Sequence, residues 1–502
     1  MKILLKGFAC SGDFAKLSRR AVLIENGVIT AVEDDISGSC AADKTLSFKD
    51  EIIAPGFIDA HGHSDISALA NPECFSKITQ GVTSEVCGNC GLSPFPLTEE
   101  NHEHIQQLYS SYGVEINWTN FNGYCEKIRK INPAIRLFPL SGHNTLRAAV
   151  NGYVDTSLSE AKLQKMCEIL AGQLAAGSPG LSSGLLYVPG IFASASELNV
   201  LMRTLAKYDK VYTTHLRSEG NKLIESLEET LYLAREAGLK KVLISHLKTA
   251  GKDNFHKLDE ALELIRSYRA QGMDVRFDRY PYIESQTMLS IVLGEKYTSY
   301  SDQALSKLLA DPAEFNLAVT HLQSFRDENY WRTRRLAGTA HPSYRKYQGK
   351  YFAEISQNPA ETVVEILKTS AASSTVAAAS MSQQNMEKII SSPEAMFGSD
   401  GNALPPDDRF GRPHPRAFGS AAKFARTLLD RNIEITEVCR KLSGNAAEFF
   451  ALENTGALKV GNYADITVFS PEEIDSKADF ADPYRPAEGI RAVFSHSAEY
   501  YF

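Results

Sequence analysis

Two histidines set two positions apart lie in Ala54-Pro-Gly-Phe-Ile-Asp-Ala-His61-Gly-His63-Ser-Asp65. On an extended segment residues i and i+2 face the same side, so both imidazoles can reach one cation. Further on, Val211-Tyr-Thr-Thr-His215 and Val242-Leu-Ile-Ser-His246 each end a run rich in β-formers with a histidine. Gly81-Val-Thr-Ser-Glu-Val-Cys87-Gly-Asn-Cys90-Gly91 ends a similar run in two thiols, and Ala395-Met-Phe-Gly-Ser-Asp400-Gly401 ends one in a carboxylate. Imidazole, thiolate and carboxylate are the donors zinc prefers. A zinc with an open position lowers the pKa of water toward about 7, and Asp400 would be the general base that passes the proton to a leaving nitrogen. Ser-Asp-Gly alone is also turn chemistry; the repetition of donors at other strand ends assigns Asp400 to the metal group instead.

Donors at the ends of successive strands imply a parallel (β/α)8 barrel, whose chemistry gathers at the C-terminal ends of its strands. His61 ends the first segment, Cys90 the second and Ala134-Ile-Arg-Leu-Phe-Pro-Leu-Ser-Gly-His143 is the third. Gly180-Leu-Ser-Ser-Gly-Leu-Leu-Tyr187 gives the fourth, His215 ends the fifth and His246 the sixth. Met273-Asp-Val-Arg-Phe-Asp278-Arg-Tyr280 is the seventh, and Asp400 ends the eighth. Helical patterns such as Leu158 to Ala176 and Leu223 to Ala237 separate several of them. The expected class is α/β, a TIM-type metallo-hydrolase barrel over residues 54–454. Residues 1–53 and 455–502 read as short strands, with an Asn26-Gly27 hairpin signal, and predict one small β-sandwich-like domain formed by both termini. The stretch between the seventh and eighth strands is longer than one barrel helix needs. Its aromatic and basic centre, Tyr330-Trp-Arg-Thr-Arg-Arg335, predicts an insertion or lid at about residues 287–355.

The 502 residues, 43% of them hydrophobic, suffice for one large core and a smaller one. A net charge of -8 without a basic run argues against nucleic acid and against a polybasic membrane anchor. Met1-Lys-Ile-Leu-Leu-Lys-Gly-Phe8 has too short an apolar core for a secretory signal, and no stretch of about 20 apolar residues appears. A cytoplasmic location follows as the expectation. Eight scattered cysteines then read as free or metal-bound thiols. No heptad pattern marks an oligomer interface.

The ordered set of Pro55-Gly-Phe-Ile-Asp-Ala-His-Gly-His63, Gly88-Asn-Cys-Gly91, Gly142-His-Asn-Thr-Leu-Arg147, His215-Leu-Arg-Ser-Glu-Gly220, Ser245-His-Leu-Lys248, Asp278-Arg-Tyr-Pro-Tyr282, Gly398-Ser-Asp-Gly401 and His414-Pro-Arg416 resembles the N-acyl-D-amino acid deacylases of the amidohydrolase superfamily. The resemblance spans nearly the whole chain. Many superfamily members bridge two metals with a carboxylated lysine on the fourth strand; Leu181-Ser-Ser-Gly-Leu185 has none, and the resemblance implies that Cys90 replaces it. A thiolate suits that role because it is anionic and binds zinc strongly. The resemblance further implies one tight zinc on Cys90, His215 and His246, with His61, His63 and Asp400 bordering a second, weaker position. Cys87, on the opposite strand face, reads as core.

The implied reaction is hydrolysis of a linear amide in an N-acyl-D-amino acid, with D-selectivity carried by the resemblance alone. Lys248 would hold the substrate α-carboxylate, helped by Tyr187 and Tyr280. Arg217 would bind that carboxylate or an acidic side chain, or else pair with Glu219. His143 would donate to the carbonyl oxygen, or brace a ligand. Gln286 stands where relatives carry a serine- and threonine-rich run, which points to a shifted substrate preference. Rival readings are a dipeptidase for peptides with a C-terminal D-residue, a cyclic-amide hydrolase or deaminase, and a metal-binding scaffold without turnover.

Overall fold

The computed structural model describes residues 1–34, 42–294, 296–297, 300–496 and 498–502. Its centre is a set of short, buried parallel strands in chain order: Phe57–Asp59, Val82–Cys87, Arg136–Pro139 continued by Ser141–Gly142, Gly180–Gly184, Val211–His215, Lys241–Ile244, Asp274–Arg279 and Ala395–Phe397. Each pairs with the next in parallel. The third is interrupted at Leu140, whose N–H donates to the Cys87 carbonyl at 2.9 Å. The last meets the first: Ala60 N–H donates to Phe397 O at 3.0 Å, and Gly62 bridges Gly401 in parallel. The eight segments read from the sequence thus surround one axis in the expected order.

Strands buried on both faces need helices outside them. Leu223–Glu236 shows why these segments are helical: Leu223, Leu227, Leu231 and Ala234 recur at helical spacing and are fully buried. Burying each such leucine contributes about 1.5–3 kcal/mol. Ser159 and Ser194 cap Glu160–Ala175 and Ala195–Lys207, accepting from Lys162 N at 3.3 Å and Glu197 N at 3.2 Å.

Both termini build one seven-stranded sheet, in the order Ala498–Tyr501, Ile490–Ser495, Ile466–Phe469, Lys44–Pro55, Lys2–Cys10, Leu17–Glu25 and Val28–Glu33. The seven strands are hydrogen-bonded in one continuous order. Residues from both arms of this sheet, such as Ile24 and Phe494, share one hydrophobic cluster. Asn26 and Gly27 both have positive φ, 50° and 78°, as a two-residue hairpin turn requires.

Between the seventh and eighth strands, Glu284–Met288, Arg334–Gly338 and Thr375–Ala379 form an antiparallel sheet with Thr375–Ala379 in the middle. Helices Asp302–Leu309, Pro312–Phe325 and Pro359–Ser370 pack against it around their own hydrophobic cluster, which includes Leu293, Leu322, Trp331 and Val363. The strands of this sheet begin before and end after the 287–355 expected from sequence. Among the described residues no helix is long and apolar enough to cross a membrane.

Candidate metal centre

The first strand ends at Asp59, and the chain turns over the barrel mouth through His61-Gly62-His63. Gly62 is required there: a Cβ would lie 2.1 Å from the carboxyl carbon of Glu85 beneath it. Cys90, His246 and Asp400 adopt the left-handed region, with φ of 52°, 36° and 52°. For residues other than glycine this conformation costs about 1–3 kcal/mol and gathers at functional sites. It lets the chain fold back at each strand end with the side chain over the barrel axis.

Two donor groups result. One nitrogen each of His61 and His63, the Cys90 sulfur and an Asp400 oxygen all lie within 4.8 Å of one another, and so do the donors of Cys90, His215 and His246. Cys90 belongs to both. Its Sγ is 3.4 Å from His61 Nε2, 3.5 Å from His246 Nε2 and 3.8 Å from His215 Nδ1.

The rings are aimed from behind. Asp278 Oδ2 lies 3.1 Å from His61 Nδ1, and Glu219 Oε1 lies 2.8 Å from His246 Nδ1. A carboxylate at Nδ1 accepts a hydrogen bond from the ring N–H and leaves the Nε2 lone pair facing the sulfur, an arrangement typical of metal-binding histidines. Lys248 Nζ donates to the same Glu219 oxygen. Below the mouth, buried Lys77 ties three strands together, reaching Asp59 Oδ2 at 2.7 Å, Glu85 Oε2 at 2.8 Å, Ser399 Oγ at 3.0 Å and the Gly401 carbonyl at 3.1 Å.

The electrostatics call for a cation. Burial works against ionisation of the Cys90 thiol, but the His61 and His246 charges and hydrogen bonds from His215 and His246 hold it well below its ordinary value. Burial likewise opposes protonation of His63, yet Asp400 and Cys90 lift it to about 10. His246 rises to about 9, because Glu219 and Cys90 outweigh burial and Lys248. Asp400 is held well below the carboxylate range despite burial, chiefly by Arg416 and His63. The His215 Nε2 atom is buried without a hydrogen-bond partner among the described residues, 3.7 Å from Glu219 Oε2. Nitrogen donors around an anionic sulfur fit a zinc-type ion.

A cavity of about 320 Å³ opens over this centre. Its floor carries Cys90, His215, His246 and Asp400; its walls carry Tyr187, Lys248, Tyr280, Gln286 and Arg416, facing the apolar side chains of Leu92, Leu186, Val188, Met288 and Ile291.

A family-wide sequence model of the amidohydrolases matches residues 295–491. The N-acyl-D-glutamate deacylase of Alcaligenes xylosoxydans xylosoxydans is 30% identical over 479 residues, 95% of this chain and 88% of the relative. The chain belongs to the N-acyl-D-amino acid deacylase family of amidohydrolases. The D-aminoacylase of the same organism is 29% identical over 486 residues, 96% of this chain and 90% of the relative. The crystal structure of the N-acyl-D-glutamate deacylase from Bordetella bronchiseptica, complexed with zinc and a phosphonate inhibitor that mimics the tetrahedral intermediate, superposes with a TM-score of 0.83 at 26% identity, over 99% of this chain and 96% of that one.

Within this deacylase fold the structure brings His61, His63, Cys90, His215, His246, Asp400, Tyr187, Lys248, Tyr280 and Gln286 to one place. Two expected site residues lie elsewhere. The Arg217 guanidinium pairs with Glu229 at 2.9 Å, not with Glu219, and donates to the carbonyls of Ile191 and Ala193, outside the cavity lining. The chain stops being a strand at His215, and the alternation assumed for Arg217 stops with it. His143 starts a helix, and its Nε2 lies 2.9 Å from Glu197 Oε1, away from the cavity lining. Cys87 is fully buried outside both donor groups, and burial pushes its thiol up. Glu219, Asp278 and Arg416 were not singled out by sequence reasoning for the roles they take here. Arg416 Nη1 lies 2.7 Å from Asp400 Oδ2, an ion pair without hydrogen-bond geometry. The only sequence signal for these three was their place within the recurring motifs.

Proposed function

We propose that this chain is a zinc-dependent deacylase that hydrolyses the amide bond of N-acyl-D-amino acids, releasing a D-amino acid and a carboxylate. The observation that carries this reading is the Cys90-centred donor set, on the floor of a cavity that also holds Asp400 and the cation Lys248. The group Cys90, His215 and His246 would hold the tight zinc; His61, His63 and Asp400 would border a weaker second position. Bound there, zinc supplies a Lewis acid that polarises the acyl carbonyl and acidifies water.

The chain's own residues do the rest. Asp400 is ionised and anchored between His63, 3.0 Å from its Oδ1, and Arg416 on its Oδ2. These contacts fix its orientation as the general base that would take a proton and deliver it to the departing amine. Lys248 would bind the α-carboxylate next to Tyr280, whose hydroxyl is buried without a partner. Burial raises the Tyr280 phenol, but Lys248, Arg279 and Arg416 bring it below its ordinary value, which makes it a stronger hydrogen-bond donor. Tyr187, hydrogen-bonded to Thr287 at 3.0 Å, would close the other side. The apolar wall suits a neutral, hydrophobic side chain, and the similarity to a D-aminoacylase and an N-acyl-D-glutamate deacylase supports D-handedness. A cytoplasmic, reducing setting suits a site built on a free thiol.

The test is release of free amino acid from paired N-acetyl-D and N-acetyl-L substrates of Met, Leu, Phe, Glu and Asp, with zinc quantified on the same sample. Turnover of D forms alone, lowered about 10²–10⁴-fold in Asp400→Asn with zinc retained, is the expected result. Bound zinc with no turnover of either series would reject the reading.

A further inference from the structure

Asp400 and Arg416 stand on a boundary. A second cavity, of about 580 Å³, shares them with the first, together with Leu108, Gln286, Thr375 and Asn402. Lys248, Tyr187 and Tyr280 line the first cavity alone. With an α-carboxylate at Lys248 and the scissile amide beside Asp400, the amino-acid side chain stays with the apolar wall. The acyl group then continues past Arg416 into the second cavity.

That cavity is polar and basic. Gln107, Ser306, Thr339, Gln348 and Ser370 contribute to its walls, and Gln348 Oε1 is buried without a hydrogen-bond partner. An acetyl group would fill little of it. Three further arginines line it. Arg409 pairs with Asp407, whereas Arg345 and Arg412 have no ion pair among the described residues. Arg412 Nη2 donates to the carbonyls of Phe480 and Ala481 at 2.9 and 2.6 Å, and its Nε is buried without a partner. The opposing acids are Asp400, neutralised by Arg416, and Asp302 at the shared boundary, which accepts the Ser290 hydroxyl at 3.4 Å.

We infer that the preferred acyl group carries a carboxylate of its own, so that the substrates are monoamides of a short dicarboxylic acid with an apolar D-amino acid. The inference rests on the deacylase reading above. Hydrolysis by water would release the free D-amino acid and the dicarboxylic acid.

The experiment compares kcat/KM of the zinc-loaded enzyme on N-acetyl-, N-butanoyl-, N-succinyl- and N-glutaryl-D-leucine. Butanoyl and succinyl have the same carbon count, so their ratio reads the distal carboxylate. A succinyl or glutaryl preference of roughly tenfold over butanoyl is expected, falling to within about twofold in Arg345→Gln/Arg412→Gln and shrinking in high salt. Because Arg412 also anchors two backbone carbonyls, Arg345→Gln alone, on an exposed side chain, must lower the ratio too. Equal rates for butanoyl and both dicarboxylic monoamides would overturn the inference and leave the deacylase reading standing. So would a preference that survives both variants. No hydrolysis of any D-leucine derivative, acetyl included, would overturn both.

Discussion

Asp278 grips His61 and His246 at once. One of its oxygens lies 3.1 Å from His61 Nδ1, and the other accepts the backbone N–H of His246 at 2.9 Å. One carboxylate on the seventh strand therefore sets a ring tautomer on the first strand and a left-handed turn after the sixth. In Asp278→Asn the carbonyl can still accept from His246 N–H, but the amide nitrogen would then face His61 Nδ1. The ring proton would move to Nε2 and remove the lone pair that faces Cys90. We expect affinity at the His61, His63 and Asp400 position to fall about 10–100-fold, with zinc on Cys90, His215 and His246 retained. Chelator-competition titration with a count of bound zinc measures both.

The two cysteines of the second segment should separate cleanly. Cys90→Ser replaces the sulfur shared by both donor groups and should strip zinc on dialysis, with turnover lost in parallel. Cys87→Ser changes a thiol that faces the core and should keep its zinc. Elemental analysis after extensive dialysis distinguishes the two, and loss of zinc from Cys87→Ser would count against the assignment.

How far the site was legible depended on the distance from a strand. His61, His215 and His246 end or closely follow β-formers, so two-residue alternation located them. Cys90 and Asp400 come three residues after Cys87 and Phe397; the repetition of donors pointed to Asp400, whereas Cys90 was implied by the family resemblance. Beyond that range the rule fails, because a loop has no period. Arg217 was placed by an alternation that had ended at His215, and Glu219, four residues past the same histidine, could not be oriented at all. The central sheet of the insertion was equally hidden: Glu284–Met288 pairs with Thr375–Ala379 across five intervening α-helices, and no local pattern announces so distant a partner.

Lys77 is a buried cation between two buried carboxylates, and removing it leaves both without compensation. Lys77→Met should destabilise the fold by about 3–5 kcal/mol, read as a lower urea midpoint. The same ammonium holds the Gly401 carbonyl and the Ser399 hydroxyl beside Asp400, so any folded fraction should show a lower kcat.

Acid sensitivity has an identifiable contributor in His104, which lines the first cavity and stacks on Tyr153 with ring centroids 4.0 Å apart. Burial pushes its imidazole down to about 4 from an ordinary 6.5. Between these values the unfolded chain binds a proton that the folded chain refuses, so stability is full above pH about 6.5 and is lost as pH falls toward about 4. His104→Phe keeps the stack and removes the proton. Its unfolding midpoint should fall less steeply than the parent's across that window in urea titrations at stepped pH.

The residues that build the outer substrate walls and those that build the metal centre belong to bodies with separate interiors. The insertion supplies Gln286, Thr339, Arg345 and Thr375 to the cavities while resting on a hydrophobic cluster confined to residues 289–376. The donors stand on the barrel, whose clusters lie outside that range. Substitutions that reshape the walls therefore need not disturb the packing beneath the ion. Selection can retune which molecules enter while the chemistry below stays constant, so divergence among relatives should concentrate in the insertion and spare the strand ends.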